Sequence, residues 1–312
     1  MKRVLVTGAA GRLGRATLDL LAREGVAATA LDLHDAGDLP AARVVVGDTG
    51  EAAVVREALS GVDAVVHCAA IPAPTLGTAE EVFCGNTRST FVVLEQAAQA
   101  GVTRAVLAGS QSALGFAWSP EPIAPLYLPV DEAHPLLAAD PYALSKQVDE
   151  QIGQMMARRY GMTVVTLRFP LLGGLTERLP TFASHYRADP VQGARSLWAY
   201  LEDRDAATAN WLALTRPLSG AHEIYVAAPI TLAALPTEEL LDRFHPGCRG
   251  GRSSRAAPCR STCPCRAACW AWSRSTSTPD SVRYALPNSS AWMRIPFTTY
   301  AESGPVLASR MA

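Results

Sequence analysis

The sequence predicts an α/β protein: a doubly wound parallel sheet followed by a small C-terminal lobe. Three observations point there. Short apolar, β-branched runs alternate with helix-period segments over roughly the first 170 residues, the pattern of parallel strands joined by crossover helices. A glycine-rich loop joins the first such run to the first helical segment. Apolar residues make up 49% of the 312, enough for one sizeable core. No apolar run reaches the roughly 18 residues of a membrane span.

The elements follow in order. "RVLVT" (3–7) is a buried strand ended by glycine. In "GRLGRATLDLLAREG" (11–25), Leu13, Ala16, Leu20 and Leu21 share one helical face, and Gly25 suits the helix end. "AATALDL" (27–33), "ARVVVGD" (42–48) and "DAVVHCAA" (63–70) are the next three strands. "TAEEVFCGNTRSTFVVLEQAAQAG" (78–101) is a long helix, and "RAVLAGS" (104–110) a fifth strand. "DPYALSKQVDEQIGQMMARRYG" (140–161) opens with an Asp cap ahead of Pro141 and closes at Gly161. "TVVTLRF" (163–169) is a sixth strand. Beyond Pro170 the pattern loosens. "VQGARSLWAYLED" (191–203), "DAATANWLALTR" (205–216) and "TEELLDRF" (237–244) predict helices, and "HEIYVAA" (222–228) a strand. The expected boundaries are 1–170 for the sheet domain, 171–247 for the small lobe and 248–312 for an atypical tail.

Charge narrows the partners. A net charge of −1 argues against nucleic acid. The N-terminus reads as a strand and not as a signal peptide, so a cytoplasmic, reducing setting is expected, without disulfides. Lysine occurs only at Lys2 and Lys146, in a chain that otherwise uses arginine.

"TGAAGRLG" (7–14) fits G-x-x-G-x-x-G, between a predicted strand and helix. That context marks a Rossmann-type dinucleotide loop. Gly8 permits the tight turn, Gly11 lets backbone approach a pyrophosphate, and Gly14 allows close helix–sheet packing, with Arg12 and Leu13 between them. Asp32 ends the second strand, where a carboxylate accepts hydrogen bonds from both adenosine ribose hydroxyls and repels a 2′-phosphate. NAD is therefore expected over NADP. Arg12 and Arg15 either reach a phosphate or stand solvated in the first helical turn. Asp48, beside Thr49, ends the third strand and either meets the adenine edge or serves its own turn.

"YALSK" sets Tyr142 and Lys146 four apart, on one helical face. The lysine's charge favours tyrosinate, so the phenol can take or give a proton near neutral pH. An ammonium is a compact charge that arginine does not copy, which argues for a specific use of Lys146.

With these motifs the chain resembles the short-chain dehydrogenase/reductase superfamily, in its extended epimerase/dehydratase branch. "TGAAGRLG", "VVHCAA" (65–70), "CGNTRSTFVVLEQA" (84–97), "YALSK" and "LRFP" (167–170) fall in the family's order over residues 1–245. The resemblance implies a nicotinamide cofactor lined also by Cys68, Ala69, Ala70, Asn86, Phe169 and Pro170. It implies a substrate-orienting hydroxyl at Ser110, with Ser112 a second candidate and Gln111 between them. Tyr142 would be the general base or acid, and Lys146 would lower its pKa and hold the nicotinamide ribose. Departures are Ser89 where glycine is usual, Gly109 for a frequent serine and Leu114 for a frequent tyrosine. "GRLGR", "VFCGN" and the small lobe resemble uronate-dehydrogenase-like members. That implies a sugar or sugar-acid substrate and hydride transfer at a secondary alcohol. A nucleotide-sugar epimerase or dehydratase, and a non-catalytic NAD sensor of the same fold, are the alternatives. The family also implies a homodimer through the helices near 79–100 and 141–160.

His185 and Arg187 sit where the family places substrate contacts, or else in an exposed loop. His67 reads as structural, Cys68 and Cys84 as buried inert thiols, and Trp198, Tyr200 and Trp211 as helical core residues. The tail holds five of seven cysteines between Cys248 and Cys269, but residues 248–275 lack Leu, Ile, Val, Met, Phe and any acid. Its cysteine spacing lacks the paired C-x-x-C knuckle of zinc sites, so no metal is expected. Its Arg, Ala, Pro, Ser, Cys and Trp composition fits an out-of-frame reading of GC-rich DNA from about Cys248 onward.

Overall fold

The structure is a computed structural model that describes residues 1–248, 281–285 and 292–296. It divides into two compact units: residues 1–126 with 132–249, and residues 127–131 with 250–312.

In the first unit the strands are Arg3–Thr7 (β1), Ala27–Asp32 (β2), Arg43–Val46 (β3), Ala64–His67 (β4), Arg104–Ser110 (β5) and Thr163–Phe169 (β6). A short parallel pair, Leu171–Gly173 (β7) and Tyr200–Glu202 (β8), stands apart from the main sheet. Ala221–Tyr225 (β9) joins β6 at the sheet edge. The seven-stranded order is β3-β2-β1-β4-β5-β6-β9, and every pair is parallel. Order reverses at β1, so the crevice beyond the carboxyl ends of β1 and β4 is where such a sheet binds ligands.

Helices cover both faces. Arg12–Arg23 (α1) packs against Asp203–Thr215 (α7) on one side, tied by Asn210 Nδ2 donating to Thr17 Oγ1 at 3.0 Å. Ala52–Ala58 (α2), Ala79–Gln99 (α3) and Pro141–Tyr160 (α4) cover the other. The core beneath them includes Leu5, Leu31, Val65, Leu94, Leu107 and Met156, all 0–2% exposed. Local signals set the helix ends. Thr78 and Glu81 form a reciprocal capping box on α3. Asp140 caps α4 ahead of Pro141, and left-handed Gly161 ends it. In the second unit, Ser281–Ala285 (β10) pairs antiparallel with Trp292–Pro296 (β11).

The predicted strands and the helices of the first 170 residues form where expected. Helix α2 had no matching expectation. The larger differences lie further on. Arg178–Ala188 is a helix (α5) although Pro180 interrupts the pattern, because proline in the first turn removes an N–H that has no intrahelical partner. The helix expected over 191–203 is instead one turn, Val191–Ala194 (α6), followed by β8. Leu197 and Trp198 reverse the chain with φ of 55° and 52°. The reversal drives the Trp198 indole onto Gly193, where an added β-carbon would lie 2.2 Å from the ring. Trp198 Nε1 donates to Pro190 O at 2.7 Å, and the ring is fully buried with Tyr186 and with Leu240 of Thr237–Phe244 (α8). Burying the indole, worth about 3–5 kcal/mol, offsets the cost of the left-handed residues, on the order of 1–3 kcal/mol each.

The cysteine-rich run beyond Cys248 and the change of frame inferred there lie outside the described residues. Cys248 itself donates from Sγ to Pro125 O at 2.9 Å.

Candidate active site

A cavity of about 1020 Å3 opens over the carboxyl ends of the strands. Its first wall is the β1–α1 loop. Gly8 has φ +62°, and a β-carbon there would come within 2.6 Å of Ala69 N. A β-carbon on Gly14 would lie 2.1 Å from Gly8 O and 2.8 Å from Ala9 Cα, so this glycine is required by the loop itself and not by helix–sheet packing. Gly11 is the N-cap of α1, and no side chain caps that end. The helix therefore presents unpartnered N–H groups and its positive dipole end beside the cavity, a cradle suited to an anion.

Asp32 lines the cavity at the tip of β2, with Oδ2 accepting from Ala10 N at 2.8 Å. Arg12 lines it too, but its Nη1 is engaged by Glu177 and by Asp203 Oδ2 at 3.2 Å. Glu177 foremost, then Asp203, raise the arginine's pKa against the effect of burial. Arg15 donates to Ala10 O and Ala36 O and braces the loop. Asp48 accepts from Gly50 N at 2.7 Å and so serves its own turn at the cavity rim. Thr49 Oγ1 meets Ser89 Oγ at 2.6 Å, both buried, which gives Ser89 a use in place of the usual glycine.

The floor comes from β4, α3 and α4. Cys68, Ala69 and Ala70 line it. Asn86 clamps the segment after β4, with Oδ1 accepting from Ile71 N at 2.7 Å and Nδ2 donating to Ser145 Oγ at 3.1 Å. Cys68 is only partly buried and Cys84 is exposed, contrary to the expectation that both are buried; Cys84 lies on the outer surface of α3. The Cys68 thiol is nevertheless pushed up to about 12 by burial of its sulfur, so it is a neutral thiol at physiological pH. His67 is buried between Thr7 Oγ1 at 2.7 Å and Thr90 Oγ1 at 3.2 Å, and burial pushes it down to about 3. Its role is structural.

Ser110, Tyr142 and Lys146 converge on the cavity from β5 and α4. Tyr142 is 7% exposed, and Lys146 Nζ lies 5.9 Å from its ring centroid. Lys146 donates to Ala108 O at 3.2 Å and to Asp149 Oδ2 at 3.1 Å. Burial opposes the ammonium, but the Asp149 carboxylate and Tyr142 outweigh it and raise its pKa. Ser110 Oγ accepts from Ser112 N at 3.0 Å, which fixes the hydroxyl at the strand end. Gln111, Ser112, Phe169 and Pro170 also line the cavity. Gly109 has a packing reason: a β-carbon would press within 2.7 Å of Thr166 Cγ2. Leu114 is buried and does not line the cavity.

His185 and Arg187 stand on the exposed side of α5 and do not line the cavity. The same helix offers Arg178, Phe182 and Tyr186 instead, joined by Gln192, Arg195 and Ser196 from the following turn and by Trp118. The spacing of 178, 182 and 186 is one helical face, a signal the sequence held but Pro180 obscured. Among the described residues, no cluster of three His, Cys, Asp or Glu could hold a metal ion, and no helix is long and apolar enough to cross a membrane.

Comparison with known proteins fits this geometry. The chain is 31% identical over 185 residues to L-arabinose 1-dehydrogenase (NAD(P)(+)) of Haloferax volcanii, covering 54% of this chain and 66% of that protein. It is 33% identical over 172 residues to a uronate dehydrogenase of Pseudomonas putida, covering 53% and 59%. It is 31% identical over 175 residues to a UDP-glucose 4-epimerase of Azospirillum brasilense, covering 54% and 48%. The chain thus spans roughly half to two thirds of these relatives. A solved short-chain dehydrogenase/reductase superfamily protein from Agrobacterium tumefaciens, with bound NAD, superposes with a TM-score of 0.61 at 26% identity, covering 77% of this chain and 81% of that one. The model of the NAD dependent epimerase/dehydratase family matches residues 4–228. With that match over most of its length, and with the glycine loop, Ser110, Tyr142 and Lys146 around one cavity, the chain belongs to the NAD dependent epimerase/dehydratase family.

Proposed function

We propose that the protein is an NAD-dependent oxidoreductase that transfers hydride at a secondary alcohol of a sugar or sugar acid. The observation that carries this is the convergence of Ser110, Tyr142 and Lys146 on a cavity whose other end is the glycine cradle and Asp32. The cradle that β-carbons on Gly8 and Gly14 would fill, and the uncapped start of α1, fit the pyrophosphate of a dinucleotide. Residues 1–170 would hold the cofactor and 171–247 most of the substrate. The nicotinamide, when bound, supplies the hydride acceptor or donor. Ser110 then holds the substrate oxygen. Tyr142 takes the hydroxyl proton during oxidation and returns it during reduction. Lys146, held as an ammonium, stabilises the tyrosinate and keeps one N–H for a ligand.

Arg178 and Arg195 favour an acidic substrate. Both line the lobe end of the cavity, while the lining carboxylates, Asp32 and Asp48, lie at the nucleotide end. A guanidinium binds a carboxylate bidentately. The arabinose and uronate dehydrogenases among the relatives agree with a substrate lacking a nucleotide. The epimerase relative supports a second reading, transient oxidation with return of the hydride. NADH fluorescence during a screen of hexoses, uronates and nucleotide sugars separates the two. NADH release with a uronate supports the dehydrogenase. Conversion of a nucleotide sugar without NADH release supports the epimerase. Bound NAD with no turnover of any of them supports a sensor.

The protein is proposed to work in the cytoplasm as a homodimer through α3 and α4. Phe91 and Leu144 on those helices are 43% and 44% exposed, which suits an apolar surface between copies. Phe91→Asp should convert a dimer to a monomer in sedimentation velocity, and an unchanged sedimentation coefficient counts against that interface.

A further inference from the structure

Lys146 sits on a buried counter-charge that lies outside the cavity lining. Asp149 is one turn along α4, and its Oδ2 is 3.1 Å from Lys146 Nζ, with the two side chains 4% and 5% exposed. Asp149 Oδ1 is buried with no hydrogen-bond partner among the described residues, and Thr90 Oγ1 of α3 is engaged by His67 Nε2 at 3.2 Å. We propose that Asp149 is a positioning residue: its carboxylate pins Lys146 as an ammonium below Tyr142 and offsets the charge that Tyr142 feels. This rests on Tyr142 and Lys146 being the proton-transfer pair.

The neighbouring groups leave this task to Asp149. From the end of β4 and the residue after it, His67 and Cys68 face Lys146, and both are neutral near pH 7, with pKa values of about 3 and about 12. From α4, Tyr142 is the group to be tuned. Glu150 is engaged by Arg168 of β6 through bonds of 2.7 and 2.9 Å. From α3 the nearby group is the neutral Thr90 hydroxyl, and from β5 the Ala108 carbonyl. An ammonium has three N–H donors. Two are committed to Ala108 O and Asp149, which fixes the position of Nζ and leaves one for the cavity. A carboxylate beside the ammonium weakens its pull on the tyrosine proton. Asp149 therefore keeps the lysine charged and sets how much of that charge reaches Tyr142.

The chain allows a direct test, because Lys146 and Lys2 are its only lysines. Lysine labelled with 13C at Cε gives two side-chain signals, and Lys2→Arg assigns them. In Asp149→Asn the Lys146 midpoint should fall by about 1–3 pH units, the usual effect of losing a facing opposite charge. Asp149→Ser, which also removes the charge, should shift it the same way. It also serves if Asp149→Asn does not fold. An unchanged midpoint in the folded variant overturns the proposal. In kinetics, the acid limb of kcat for oxidation should move to lower pH in Asp149→Asn while Lys146 stays charged, and Asp149→Glu should return it toward the original. A purely structural residue would lower kcat without moving the limb. If Tyr142→Phe retains full activity, the proposed chemistry fails. The NMR titration still decides the Asp149–Lys146 coupling on its own.

Discussion

A carboxylate at the tip of β2 faces the nucleotide end of the cavity, and among the described residues the arginines near it are occupied: Arg12 is engaged by Glu177 and Asp203, and Arg15 by backbone carbonyls. That arrangement repels a 2′-phosphate. Asp32→Ala should weaken NAD binding by about 10–100-fold, the worth of hydrogen bonds to a charged group, and affect NADP less. Titration of cofactor fluorescence for both nucleotides checks this; an unchanged NAD-to-NADP ratio would show that Asp32 does not choose. At the other end, Tyr142→Phe keeps the ring and loses the proton, so kcat should fall about 10²–10⁴-fold with little change in cofactor affinity. These residue types were legible because Tyr142, Lys146 and the glycines have fixed spacing along the chain. Arg178 was obscured by Pro180, and Arg195 was not legible, since the turn that carries it reaches the cavity through a chain reversal that no local spacing encodes.

At the scale of elements, the β1–α1 unit is the most constrained. Gly14→Ala forces a β-carbon to 2.1 Å from Gly8 O, so the loop must open. NAD affinity should drop by more than about tenfold, or ~1.4 kcal/mol, even where the fold survives; calorimetric titration measures it. The α6–β8 segment is the opposite case. Its pattern reads as helix, yet the chain reverses at Leu197 and Trp198 to bury an indole against Tyr186 and Leu240. Trp198→Ala should cost about 3–5 kcal/mol and loosen the lobe end of the cavity, seen in denaturant unfolding and a raised substrate KM. A variant as stable as the parent would mean that this cluster does not hold the lobe.

Over the whole molecule, buried charge sets the pH response. Burial, then Glu202, pushes the Asp205 carboxyl from its ordinary value up to about 6. A raised carboxyl binds its proton more tightly folded than unfolded. It therefore adds stability at low pH and loses it as pH rises from the ordinary carboxylate range through about 6. Asp205→Asn should accordingly raise Tm at pH 7, by about 2–4 °C per kcal/mol recovered, and change it little at pH 4. An equal shift at both pH values would assign the effect to packing. The sheet, the order of its motifs and the positions of Tyr142, Lys146 and the glycine loop were legible along the chain, because they depend on local periodicity and short spacings, whereas Ser110 was reached through the family resemblance. Long-range packing settled the rest: that β9 and α7, from beyond residue 170, complete the main sheet and its cover, that Arg12 is bound by Glu177 and Asp203, that α5 turns Arg178 and not Arg187 to the cavity, and that Asp149 lies beside Lys146. Each of these is a contact between segments far apart in the chain or a choice of helix face, and burial across the folded core, not propensity along the chain, selects it.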